Sequence, residues 1–202
     1  MTEWVDYVSV GIALVSLVIS GIVAWTNKKT LVVEISKNAE VIKPQHIMIM
    51  EEDGPLPYGS ALKARLEIVN PSNKDIAFFD MRAFDPQTNI NGDLLTRRAV
   101  YHDHREKPIY EVIPTSNEST RLTELYIPDK NHGIIKSNSF IILDLVMFPR
   151  EDQKELGFSV KFSMRKPWTK PKDRFAVTKR KKFHYEGIVY HLEKWPQLDT
   201  KE

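Results

Sequence analysis

"ALKARLEIV", residues 61–69, alternates without a break: Leu62, Ala64, Leu66 and Ile68 fall on one side of an extended chain, Lys63, Arg65 and Glu67 on the other. A period of two is the signature of a strand with one face buried and one in water. "GFSVKFSMR", residues 157–165, repeats it, with Phe158, Val160, Phe162 and Met164 opposed to Ser159, Lys161, Ser163 and Arg165. Outward from these two, "LVVEISK", "HIMIM", "DIAFFDMRAF", "FIILDLVMF", "RFAVTK" and "GIVYHLE" are strand-like runs. Turn-forming clusters such as "NPSNKD", "DPQTNINGD" and "IPDKNHG" lie between them. Short strands with Gly, Pro, Asn and Asp punctuation predict an antiparallel sandwich of about seven to nine strands. "FIILDLVMF" is apolar on both sides, as a central strand requires. No stretch beyond residue 30 carries a helical stripe longer than about two turns.

The composition is that of a globular chain. It has 202 residues, 42 % hydrophobic and 28 % charged, and its mean hydropathy is −0.36. There is no cysteine, which excludes disulfides, thiolate metal sites and thiol nucleophiles. Charge is unevenly spread. Residues 161–182 hold ten basic side chains and one acid, a net charge of +9 in a chain of net +2, which leaves −7 to all other residues.

The N-terminal stretch "YVSVGIALVSLVISGIVAWTNKK", residues 7–29, departs from this pattern. Tyr7 to Trp25 passes without a charge, and ten of these nineteen residues are Val, Ile or Leu. As a helix it would measure about 28 Å, near the hydrocarbon thickness of a bilayer. The preceding residues carry Glu3 and Asp6 and no basic residue, so a signal peptide does not fit. The expectation is a single-pass transmembrane helix at 7–25 with the bilayer as its partner. Lys28, Lys29, Lys37 and Lys43 follow it and place the later domain on the cytoplasmic side of the cell membrane. Ser16, Ser20 and Ala24 recur every four residues and offer a small face for helix self-association, hence a homo-oligomer. The expected organisation is an acidic tail at 1–6, the span at 7–25, a linker at 26–29, a β domain at 30–195 and a C-terminal tail at 196–202.

Chemistry-bearing motifs are scarce. "YHDHREK" puts His102 and His104 on one side of an extended chain and Asp103 on the other, but His132 lies far off with no second ligand beside it, so no metal site is expected. There is no Gly-rich phosphate loop, GxSxG or HExxH, and no cofactor is implied. The chain reads as non-enzymatic. The basic segment is the candidate for an anionic partner, nucleic acid or anionic lipid. Its residues are Lys166, Trp168, Lys170, Lys172, Arg174, Lys179, Arg180, Lys181 and Lys182. Lysines suit diffuse attraction better than bidentate recognition, and Trp168 could stack or insert.

The span followed by "TLVVEIS", with the strand Leu62 to Val69, the turn Asn70-Pro71-Ser72-Asn73 and the strand Ile76 to Phe84, resembles a broad class of bacterial and prophage-encoded small membrane proteins. The resemblance implies one N-terminal helix carrying an immunoglobulin-like sandwich; superinfection-exclusion proteins belong to that class. The function expected is therefore a membrane-anchored interaction protein. Its β domain would dock on another membrane or envelope protein in a blocking or regulatory role. The alternative is binding of nucleic acid or anionic lipid through residues 161–182.

Overall fold

The computed structural model describes residues 3–26, 28–51, 54–100, 108–115, 119–150, 153–164 and 183–192. The chain is mainly β. In order, the elements are α1 (Glu3–Thr26), β1 (Val32–Ile35), β2 (Glu40–Ile42), β3 (Ile47–Glu51), β4 (Gly54–Pro57), β5 (Ala61–Asn70), β6 (Ile76–Phe84), β7 (Asn91–Leu94), α2 (Arg97–Val100), β8 (Ile109–Pro114), β9 (Thr120–Glu124), β10 (Gly133–Ile135), β11 (Ser139–Phe148), β12 (Glu155–Phe162) and β13 (His184–His191).

The expected immunoglobulin-like sandwich is corrected. One antiparallel sheet in the order β1-β5-β11-β7-β6-β12-β13 curls into a nearly closed barrel, with β2 and β10 paired to the side. Its two ends meet where the Tyr190 hydroxyl of β13 donates to the Ser36 carbonyl just after β1, at 2.8 Å. The alternating face of β5 turns inward. Leu66, Ile68, Phe158, Val160 and Phe162 are buried there against Ile76, Leu145 and Met147. Each large side chain taken out of water in this way contributes roughly 1.5–3 kcal/mol.

A second sheet, β4-β3-β8-β9, lies outside the barrel over one end of β5 and β11. Ile47, Ile49 and Ile109 pack there against Ala61 and Val146, which point outward from the barrel strands. β11 is thus buried on both faces over this part, as its doubly apolar sequence predicts. β4 carries Pro55 and Pro57, which a sheet interior would not accept, and it is an edge strand.

The turn after β5 is tied by one side chain. The buried Asn70 amide donates to the carbonyls of Lys74, Ile135 and Lys136, and its Oδ1 accepts from the Ser72 amide and hydroxyl. Asp75 adds a second tie. The Ser137 amide and the Lys136 ammonium bond its carboxylate and hold its pKa below the ordinary value. Two glycines admit rings from facing strands: an added Cβ at Gly157 would stand 2.6 Å from the Phe84 ring, and at Gly133 2.7 Å from Phe78.

The single-pass reading is also corrected, and with it the location in the cell membrane and the cytoplasmic placement of residues 30–202. Among the described residues, no helix is long and apolar enough to cross a membrane. Ser16 and Ser20 lie exposed on α1; the side chain of Ala24 lies outside the described residues.

Candidate functional site

The outward face of β1, β5 and β11 is built in cross-strand rows, because directly opposed residues share a face. The first rows lie under the small sheet. Val146 stands opposite Lys63, whose ammonium bonds the buried Glu111 carboxylate of β8 and lies 3.0 Å from Glu40 of β2. Burial alone would lower the Lys63 pKa; the hydrogen bonds to Glu111 and Glu40 outweigh it and raise the pKa above its ordinary value. In the next row Asp144 stands opposite Arg65. The Tyr126 amide donates to the Asp144 carboxylate at 2.9 Å, and the Asp144 amide to the Tyr126 carbonyl at 2.8 Å.

At this point the cover stops. The next row is Glu34, Glu67 and Ile142, then Val32, Val69 and Phe140. Val32 is 59 % exposed, Val69 37 % and Phe140 56 %. Three apolar side chains on three neighbouring strands therefore form a bare shelf. Tyr126, also exposed, follows β9 at the border of the covered part. Glu34 and Glu67 oppose each other directly, and neither has an ion-pair partner among the described residues. Like charges in that position cost the sheet a few tenths of a kcal/mol to about 1.

The sequence-predicted residues fare unevenly. Lys166, Trp168, Lys170, Lys172, Arg174, Lys179, Arg180, Lys181 and Lys182 lie outside the described residues, as do His102, Asp103 and His104. Lys161, the first cation of the basic segment, pairs with Asp80. Phe162 and His184 are opposed in the β12–β13 ladder. His132 is exposed, with Nδ1 2.9 Å from the Asn131 side-chain oxygen. Among the described residues no three potential metal ligands cluster. The apolar shelf was missed by sequence reasoning. Its one visible sign was Val69, an apolar residue on the side of "ALKARLEIV" that otherwise carries Lys63, Arg65 and Glu67.

No protein-family model matches the chain, and no curated protein matches it. Among solved structures it is similar to the yjhA protein from Bacillus subtilis, with a TM-score of 0.35 and 8 % sequence identity over 65 % of this chain and 75 % of that one.

Proposed function

We propose that the protein is a non-catalytic interaction module that holds a protein partner against the bare shelf of β1, β5 and β11. The observation behind this reading is the exposed row Val32, Val69 and Phe140, in register across three paired strands. Aromatic side chains, phenylalanine among them, are enriched in the apolar core of protein interfaces. The unpaired Glu34 and Glu67 beside this row ask for cations. The partner is accordingly a protein surface with an apolar centre and a basic rim, since charge complementarity sets partner choice and encounter rate.

The test places a photo-crosslinking residue at position 140 of the full chain in its native cell, with position 88, an exposed loop site, as control. A discrete crosslinked protein at 140, absent at 88 and lost when Glu34 and Glu67 are both changed to Lys, supports the reading. Equal labelling at the two positions, or labelling indifferent to the charge reversal, overturns it. Loss of the cellular phenotype on changing His102 or His104 with the melt intact would overturn the non-catalytic part.

A further inference from the structure

The barrel wall has a gap on the side of β6 away from β12. Along that edge β10 pairs with Ile76–Phe78 and β7 pairs with Ala83 and Phe84, while among the described residues no strand pairs with those between. The cause is local. Asp80 has φ 52°, a left-handed conformation uncommon for a residue with a side chain. The ladder with β12 slips at this point: Ser159 faces Arg82, but Lys161 faces Phe79. β6 therefore carries a bulge, a device that re-aims side chains. The Met81 amide turns to the Asn131 carbonyl at 3.1 Å, which draws the loop before β10 into the gap. That loop in turn holds α2, through bonds from the Arg97 and Arg98 amides to the Pro128 and Asp129 carbonyls, each 3.0 Å.

The result is an open slot of about 470 Å³ with Met81 and Leu94 among its apolar lining and Arg82, Arg98, Lys130, His132 and Asp93 among its polar lining. The size is that of a small-molecule site. Arg82 is the fixed point. Its Nη1 donates to Asn91 Oδ1 at 3.0 Å, its Nη2 to Asn89 Oδ1 at 2.9 Å, and its guanidinium carbon lies 4.7 Å over the Phe84 ring. Every one of these partners is neutral. The bonds position the cation, which has no ion-pair partner among the described residues, and they use one of the two hydrogens on each Nη. Two buried atoms on this cross-strand pair, Arg82 Nε and Ser159 Oγ, have no hydrogen-bond partner among the described residues. Arg98 and Lys130 have no ion pair among the described residues; Asp129 pairs with Arg97 instead. Three permanent cations thus face one carboxylate, Asp93. A half-buried arginine held by amides rather than by an acid is arranged for an anion that arrives from outside.

We propose that this slot binds a small oxyanion, a phosphate or carboxylate group, with Arg82 as the fixed anchor and Arg98 and Lys130 closing on it from α2 and the loop. The site is separate from the docking shelf, which lies on β1, β5 and β11, so neither reading depends on the other.

The test uses the full chain with inorganic phosphate and, separately, malonate as probes, against chloride at matched ionic strength. Saturable binding of at least one probe, read by calorimetry and by a rise in Tm, is the expected result. Phosphate active with malonate inert identifies a phosphate site, and the reverse a carboxylate site. The double variant R98Q/K130Q, both positions exposed, should keep the ligand-free Tm and bind at least tenfold more weakly. R82Q tests the anchor; should it fail to fold, the double variant alone still decides. Neither probe exceeding chloride, or the double variant binding as the parent does, overturns the proposal.

Discussion

Val146 and Phe140 stand on the same strand and the same face, yet one is fully buried and the other more than half exposed. Both halves of this face carry aliphatic and acidic side chains, but its cations, Lys63 and Arg65, stand in the rows of the covered half. In the covered half an ammonium and a carboxylate meet, Lys63 with Glu111, and the aliphatics are sealed under β3 and β8. In the bare half two carboxylates oppose each other and the aliphatics face outward. A sheet's outer face takes its character from what lies over it, and the half left open carries both an apolar surface and an unmatched charge.

The comparison breaks most sharply by placing an acid in each half. Val146→Asp puts a carboxylate in a site with no cation free to meet it, and should cost about 4 kcal/mol or more, or prevent folding. Phe140→Asp on the same strand should cost about 1 kcal/mol or less, because little packing is lost. Urea titrations of the two variants check this; equal losses would mean that the shelf is covered within the monomer.

Asn70→Ala comes next. It removes the side-chain donor to the Ile135 and Lys136 carbonyls and the acceptor of the Ser72 amide, while the Ser72 hydroxyl keeps its bond to the Lys74 carbonyl, and it should cost about 2–3 kcal/mol. Asn70→Asp should recover little of it, since a carboxylate cannot donate to those carbonyls. Thermal melts of both variants give the answer.

Glu111→Gln sharpens the covered side. The folded Lys63 pKa lies above its ordinary 10.5, so the pair's contribution is fully present below that pH. It is lost as pH rises through the raised folded value. The variant should be less stable than the parent by about 1–2 kcal/mol at pH 8, after allowance for the partial exposure of Lys63. The gap should close as pH climbs above about 10.5. Tyr190, pushed up to about 12 by burial despite its bond to Ser36, also loses stability between its unfolded value near 10 and 12, but equally in both proteins. Denaturant midpoints from pH 8 to 11 separate the two effects; a gap independent of pH refutes the assignment.

The smallest effect belongs to the bare side. Glu67→Lys replaces a like-charge pair with an attractive one and should stabilise by about 0.5 kcal/mol, fading as salt is raised. A destabilising result would show that Glu67 has a partner in the fold.

Much of the barrel lining was legible in advance. Leu62, Ala64, Leu66 and Ile68 face inward as their alternation demands, and Phe158, Val160 and Phe162 join them. The opposite side of β12 was misjudged at Ser159, which reads as a water-facing residue but is buried across from Arg82. The docking shelf and the slot were barely legible. The first depends on where the second sheet stops, and the second on a one-residue bulge and a loop fifty residues away along the chain.

By itself the sequence determined the strands and the inward side of the strongest ones, because a period of two is a local property of the extended chain. It also determined the apolar helix at the N-terminus, through an uncharged run of Val, Ile and Leu. The tertiary structure alone decided that the strands curl into a barrel instead of stacking as a sandwich. That choice rests on β11 lying between β5 and β7 and on β13 returning to β1, pairings between residues more than a hundred positions apart in the latter case. It decided equally that Val146 is core and Phe140 is surface. Alternation assigns a side chain to a face, but only a second layer of chain, arriving from elsewhere in the sequence, removes that face from water.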